Sequence, residues 1–429
     1  MEAHAVAVPR ALGKERSARI TSPWVVAAIV AAFYMLLITP GLVGNPYQFV
    51  NIGRQFLHKS TSSATIDQHA RAINHKIGYD GQFYYFLAAD PAHGKDYMDN
   101  SGVIYSRIGY PATVRALSGG NVVLIPYVMV LVNILAAVGG TLAVAFFLRR
   151  NGLSPALALV YGLYPGLVMS VLRDLTEPLA FALAAGALVM FDARSKWRLL
   201  GSGAIFGLAM LTRETVALFP AILTLALLVG VGSASEWRIR LRWSNIARSL
   251  AFAELAFAPL LVWRHIVTTM LPHTATQEAF VGTEHHVAGV GGAAGSLLTA
   301  LVPFHAIAKQ WPWTGDDVTD LLIVFLPALL WAGIAVVLLR RKVTLPPLFV
   351  LANVAIFIIF LPTPIAVDYA SLSRASIGVL LAVFLTLPLL PDAFGKRAEL
   401  VRGTLVLWSL PLCIVVGLLL HTIGPKYVW

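Results

Sequence analysis

Cysteine and charge are both scarce in this chain, and each scarcity excludes a class of protein. A single cysteine, Cys413, stands among 429 residues, which rules out an intramolecular disulfide framework and any CxxC-type redox or metal motif. Charged residues make up 12% of the sequence, against about 25% in an average soluble domain. Also missing are a glycine-rich phosphate loop, a GxSxG nucleophile elbow and zinc-ligand spacing. What fills the chain instead is apolar: 58% of residues are hydrophobic and the mean hydropathy is +0.76. A water-soluble fold of this length could not bury so much apolar surface with so little charge to keep it dissolved. The composition predicts an all-α polytopic membrane protein.

The formal net charge is +11 and the pI is about 9.8. In a soluble protein such a balance suggests nucleic acid, but in a membrane protein basic residues hold loops on the cytoplasmic side, so no nucleic-acid partner is expected. The basic start (Arg10, Lys14, Arg16, Arg19) leads into an apolar run too long for the core of a cleavable signal peptide. Residues 1–22 are therefore expected to be a cytoplasmic segment ahead of a retained first helix.

Apolar runs of roughly 17–25 residues predict about eleven transmembrane helices, at 23–44, 122–148, 154–171, 176–192, 199–212, 215–232, 247–270, 319–339, 344–361, 374–391 and 402–421. With the amino terminus inside, the cytoplasmic connections hold short basic clusters such as Arg149 and Arg150, Arg238 to Arg248, and Arg340 to Lys342. The carboxyl terminus then falls outside, and the expected location is the plasma (bacterial inner) membrane. The acidic residues divide the other way, placing the chemistry on the external face. Two external segments are long, about 45–121 and 271–318, and loops of that length are usually functional. Within the first, Ile77 to Leu87 repeats aromatics and aliphatics at helical spacing, predicting an amphipathic helix at the membrane interface. The small-residue stretch Gly289 to Gly295 lies in the second.

Charges near membrane depth default to functional hypotheses. In Tyr79-Asp80-Gly81 the glycine suits a tight turn into a helix, and Asp80 is either a reactive carboxylate or a helix cap. Arg173, Asp174 and Glu177 cluster on one external turn, and Arg213 and Glu214 on the next. These are either ion pairs that neutralise helix ends or a binding site. Further candidates are Arg107, His285 with His286, Lys309, and Asp368 with Arg374. For Arg107, Arg213 and Arg374 the planar guanidinium suits phosphate oxygens, with anchoring to lipid headgroups as the alternative. The His285–His286 pair beside Glu284 has no HxxxH spacing, so no metal site is expected.

The order of these features resembles the GT-C superfamily of membrane glycosyltransferases, which use polyprenyl-phosphate-linked sugars. The segments Gly78-Tyr79-Asp80-Gly81-Gln82-Phe83-Tyr84-Tyr85 with Asp90-Pro91, Arg107-Ile108-Gly109-Tyr110-Pro111, Thr176-Glu177-Pro178 and Leu211-Thr212-Arg213-Glu214 are similar to stretches in its bacterial mannosyltransferase-like members. The resemblance covers about the first 320 residues. It implies a catalytic transmembrane module at 23–318 and a variable carboxyl-terminal transmembrane module at 319–429. It also implies Asp80 as the general base of an inverting transfer, mannose favoured, without a cofactor. Arg213, Arg107 and Arg374 would hold the donor phosphate. Tyr79, Gln82, Tyr84, Arg173, Asp174, Glu177, Glu214 and His285 would bind substrate or support the base. The implied partners are a polyprenyl-phosphate sugar donor, a lipid, glycan or protein acceptor, and membrane lipids. The adjacent acidic pair of protein mannosyltransferases is absent from the first loop, which turns the expected acceptor toward a lipid or glycan. A transporter or flippase is the rival reading, although no inverted repeat is evident in the sequence. A non-catalytic scaffold is a third, and it predicts that Asp80, Arg173, Glu177 and Arg213 stand apart in space.

Overall fold

A computed structural model describes residues 22–57, 78–98, 101–192, 195, 197–230, 242–271, 315–359, 369–409 and 411–412. Among these residues the fold is helical and has no named strand; Ile52 and Gly78 form an isolated antiparallel bridge. The principal helices are α1 (Pro23–Gly44), α2 (Gly81–Ala89), α3 (Ser101–Ser106), α4 (Gly109–Ser118), α5 (Ile125–Arg150), α6 (Pro165–Leu172) and α7 (Glu177–Phe191). They are followed by α8 (Arg198–Thr212), α9 (Leu218–Val229), α10 (Trp243–Met270), α11 (Gly315–Arg341), α12 (Leu345–Ile359), α13 (Tyr369–Ala375) and α14 (Ile377–Thr386). Proline opens α1, α5, α6 and α7 within their first two residues, where its missing N–H costs nothing and its fixed φ suits the helix.

Among the described residues five helical stretches are long and apolar enough to cross a membrane: Pro23–Gly44, Ile125–Arg150, Trp243–Met270, Leu322–Arg341 and Ile377–Trp408. A sixth is added if Pro155–Gly162 and Pro165–Leu172, bent by 50° at a short break, form one span. Helices stand at four further runs expected to span, but they are shorter, at Glu177–Phe191, Arg198–Thr212, Glu214–Val229 and Leu345–Ile358. At 1.5 Å per residue such helices fall short of a hydrocarbon core of about 30 Å, so length alone does not reach eleven spans. The expected last run, 402–421, extends beyond the described residues, which end at Leu412.

Packing follows chain order on one side: α1 lies on α5, α5 on α7, α7 on α8 and α8 on α10. On the other side α9 and α14 pack on α12, with α11 beside it. The α8–α10 contact is made by the small-residue pair Gly203 and Gly207. A Cβ at Gly207 would lie 2.5 Å from the Leu255 carbonyl, the group that Pro259, four residues on, cannot serve as donor. Close backbone approach through Gly-x-x-x-Gly is a recurrent way to join membrane helices, where lipid gives no hydrophobic drive. Large side chains such as Leu36 and Val43 on α1 and Leu250 on α10 face outward.

The start of α1 meets the end of α5 through Trp24 and Phe146, and Arg150 donates to the Val189 carbonyl near the end of α7. The clustered basic residues Arg149 and Arg150 thus share one end of the bundle. The connections that carry Asp80, Arg107, Glu177 and Arg213 occupy the opposite end.

One expectation for the first long loop fails. All nine residues of α2 are buried, so this helix does not lie on a membrane surface. Its aromatics are spent on protein: Phe83 meets Phe56 edge-on at 5.0 Å and Phe86 stacks on Tyr97 at 4.9 Å. Rings at helical spacing fit a second core as well as a headgroup layer, and here they form that core. The helix with one buried and one open face is α4, which buries Tyr110 and Val114 and exposes Leu117.

Candidate functional site

The approach to Asp80 is fixed by backbone pairing. Gly78 turns through a positive φ of 78°, the Tyr79 N–H donates to the Asn51 carbonyl at 3.0 Å, and the Gly53 N–H donates to Gln82 Oε1 at 2.9 Å. Gln82 is fully buried and serves this joint. Gly81 is needed for a different reason than a turn. It adopts helical backbone, but a Cβ there would stand 2.2 Å from the Arg173 carbonyl. The start of α2 is therefore pressed against the break between α6 and α7. The far end of α2 is closed by Arg115, which donates to the Ala88 and Ala89 carbonyls at 2.8 and 2.9 Å, a cation placed where the helix dipole is negative.

Asp80 occupies the cap position of α2 yet caps nothing: its backbone is already helical and its side chain makes no capping bond. The carboxylate is half exposed, and its Oδ2 lies 3.7 Å from Arg374 Nη1. Arg374 is brought there by α13 packing on α6, at a point where a Cβ on Gly166 would lie 2.3 Å from the Ser373 carbonyl. A 2.6 Å hydrogen bond between Tyr164 and Ser376 hydroxyls pins the same junction. The carboxyl-terminal part of the chain thereby contributes directly to the site.

Around Arg374 the charges alternate. Its Nε lies 3.7 Å from Glu177 Oε1, and Glu177 Oε1 also receives Arg213 Nη1 at 3.2 Å, while Arg213 donates to Thr176 Oγ1 at 3.2 Å. Arg374 Nη2 donates to Ser371 Oγ at 3.4 Å, and that hydroxyl lies 3.3 Å from the Tyr79 hydroxyl. The Tyr79 ring gathers two guanidinium groups, Arg173 at 5.1 Å and Arg374 at 5.3 Å. Such contacts with a ring face are attractive. Beside this group Arg107 clasps Glu214 in the two-pronged geometry of the strongest ion pairs, Nη2–Oε1 at 2.5 Å and Nε–Oε2 at 3.0 Å, and reaches Tyr84 at 3.4 Å. Burial works to lower the Arg107 guanidinium, but Glu214 and then Tyr84 outweigh it and hold it above its usual range.

Asp174 sits three residues before Glu177 in a different environment. It is fully buried, has a positive φ of 50°, and neither carboxylate oxygen makes a well-formed hydrogen bond. Burial pushes its carboxyl well above the usual range, with the nearby Asn133 amide working the other way. Asn133 Nδ2 in turn donates to the Tyr110 hydroxyl at 2.9 Å, and Tyr110 donates to the Met129 carbonyl at 3.1 Å.

Of the residues singled out from sequence, Tyr79, Asp80, Arg173, Glu177, Arg213 and Arg374 come together, with Tyr84, Arg107 and Glu214 adjoining. The convergence goes against the scaffold reading. Four candidates for substrate contact, Gln82, Tyr84, Asp174 and Glu177, are instead withdrawn from solvent. The ion pairs also differ from those expected. Arg213 pairs with Glu177 and Arg107 with Glu214, so each charged turn is joined to another turn. His285, His286, Lys309 and Asp368 lie outside the described residues. Among the described residues no three His, Cys, Asp or Glu side chains gather to hold a metal ion. Ser371, Asn133 and Tyr110 carried no functional expectation; Asn133 was the most readable of them, as an amide inside an apolar run.

Among the described residues four arginines and three carboxylates thus meet at this site, apart from buried Asp174, and one carboxylate is half open to solvent. The arrangement can take up an anion on its guanidinium groups and accept a proton at Asp80. No protein-family model matches the chain, and no curated protein matches it either.

Proposed function

We propose that the chain is an inverting glycosyltransferase, working on the extracytoplasmic face, that moves a sugar from a polyprenyl-phosphate donor to an acceptor hydroxyl. The reading rests on one observation above all: a half-exposed, uncapped Asp80 carboxylate at the rim of a buried arginine–carboxylate network. In the proposed reaction an Asp80 oxygen takes the acceptor's hydroxyl proton as the hydroxyl oxygen attacks the anomeric carbon. The bond from that carbon to the phosphate oxygen breaks, and its electron pair leaves with the polyprenyl phosphate. A hydroxyl is a poor nucleophile until a positioned base accepts its proton. The departing phosphate is already a stable anion, so it needs cations rather than a general acid. A glycosidase differs in needing two carboxylates, because its leaving alkoxide must be protonated. Arg374 pairs with Asp80 and shares the Tyr79 ring with Arg173, while Arg213 and Arg107 hold Glu177 and Glu214. Mannose is the favoured sugar, on the sequence resemblance alone.

The test is a transfer assay in liposomes with radiolabelled polyprenyl-phosphate mannose and glucose and a pool of membrane-lipid acceptors, comparing wild type with Asp80→Asn. Loss of a general base costs about 100-fold or more, so label should move with wild type and scarcely with the variant. Equal transfer by both would remove Asp80 from the role.

A second reading, a transporter for a lipid-linked or polar substrate, is favoured by the bent pair Pro155–Gly162 and Pro165–Leu172, since broken helices line transporter sites. It calls for a corresponding broken pair in the other half, and among the described residues there is none. Flux of labelled donor across the liposome membrane without transfer would select it.

A further inference from the structure

Glu254 stands apart from the network above. It lies well inside α10, about 17 Å from the first residue of that helix at 1.5 Å per residue. Its side chain is exposed, and among the described residues no hydrogen bond or ion pair reaches it. In a helix apolar enough to span a membrane, an exposed position faces hydrocarbon, and an ionisable group there is costly enough to imply a role. Glu254 also marks one end of an open groove of about 450 Å³. Ile108 and Leu211 wall one side, and Leu255, Pro259, Val262 and Ile266 the other. These α10 positions recur at helical spacing, so the groove follows one stripe for about 18 Å, more than three turns. Within that stripe the Trp263 indole N–H donates to the Tyr105 carbonyl at 2.6 Å.

The occupant must satisfy both parts. A lipid chain would cover the apolar wall and leave the carboxylate without a counter-charge. A helix laid along the stripe would cover the wall with its side chains and could present a cation at the depth of Glu254. We propose that this groove docks a transmembrane helix of a partner protein that carries a Lys or Arg near mid-membrane, paired with Glu254. The proposal is independent of the glycosyltransferase reading, because no residue of the arginine–carboxylate site takes part in it.

The experiment uses the full chain in phosphatidylcholine liposomes. The probes are two synthetic polyleucine transmembrane peptides, one with a single central lysine and one without. A hydrophobic carbodiimide that modifies carboxyl groups from the lipid phase is applied, and labelling of Glu254 is read by mass spectrometry. Energy transfer from labelled protein to labelled peptide reports association. Glu254 should be labelled in the absence of peptide and protected by the lysine peptide but not by the leucine peptide. Association of the lysine peptide should weaken about 5- to 30-fold in Glu254→Gln, the span of polar contacts between model membrane helices. Because the side chain faces outward, this variant leaves the packed interior intact. Equal protection by both peptides would overturn the pairing of Glu254 with a cation, and protection by neither would overturn the docked helix in favour of a lipid-filled groove. Absence of labelling without peptide would overturn it in favour of a groove already covered. Concentration-dependent self-association lost in Glu254→Gln would replace the partner helix with a second copy of this chain.

Discussion

Two carboxylates three residues apart show how differently one turn can treat the same chemical group. Glu177 and Asp174 are both withdrawn from solvent. Glu177 opens α7 and is met by Arg213 from the end of α8 and by Arg374 from α13. Asp174 lies in the break before α7, and among the described residues no cation is paired with it. An ionised carboxylate in a low-dielectric setting needs a counter-charge or must give up its own. Glu177 is therefore a joint that ties three separate helices at one end of the bundle, whereas burial holds the Asp174 carboxyl well above its usual range. The positive φ of Asp174 adds a smaller cost, since the left-handed region is unfavourable for L residues although Asp and Asn enter it more readily than most. Burial alone says little about a carboxylate here; what the neighbouring helices bring to it decides its role.

The comparison breaks most visibly at Glu177. In Glu177→Gln, Arg213 and Arg374 lose the carboxylate they share, and removing one partner of a buried pair costs about 3–5 kcal/mol. Thermal unfolding of the purified protein in detergent should show a large drop in Tm, with transfer activity falling alongside it. A loss below about 1 kcal/mol, the range of exposed pairs, would mean that Glu177 is no such joint. A smaller effect is expected at Gly81→Ala. The added Cβ meets the Arg173 carbonyl, and overpacking of this kind costs about 1–3 kcal/mol. Because the strain falls at the start of α2, activity should fall by more than stability as Asp80 shifts from Arg374. Gly44→Ala is the control, since nothing stands within 4 Å of a Cβ there. Equal behaviour of the two alanine variants would show that α2 is not pressed against the turn.

These contrasts also mark what was legible in the sequence. The long apolar runs at 23–44, 122–148 and 247–270 reappear, within a few residues, as helices long and apolar enough to span, because a long apolar run leaves a chain few other choices. The break at Leu163-Tyr164-Pro165 was written in its proline, yet the apolar run continues through it and reads as one span. That Asp80, Glu177, Arg213 and Arg374 carry charge beside apolar runs was plain. That Arg374 meets Asp80 and Glu177 was not, because the contact depends on Gly166 admitting the α13 backbone across a gap of some two hundred residues, and no local rule encodes that. Gly81 was visible as a glycine after an acid, but turn glycine and contact glycine look alike until the opposing carbonyl is known. Glu254 was legible too, a lone carboxylate inside an apolar run.

The gentlest test concerns Asp174 itself. Its folded-state pKa is raised, chiefly by burial, so the folded protein holds a proton that the unfolded chain releases near pH 4. By linkage, stability is greatest below that unfolded value and declines as pH rises toward the raised folded one. In Asp174→Asn the side chain keeps its size and carries no titrating group. The variant should match wild type within about 1 kcal/mol at pH 5, the scale of a single net hydrogen bond, and should gain on it as pH rises toward 8. The measurement is Tm against pH for both proteins, with Glu177→Gln in parallel. If the Asp174→Asn curve runs parallel to wild type throughout, Asp174 has a counter-charge after all, and the two carboxylates of this turn are alike.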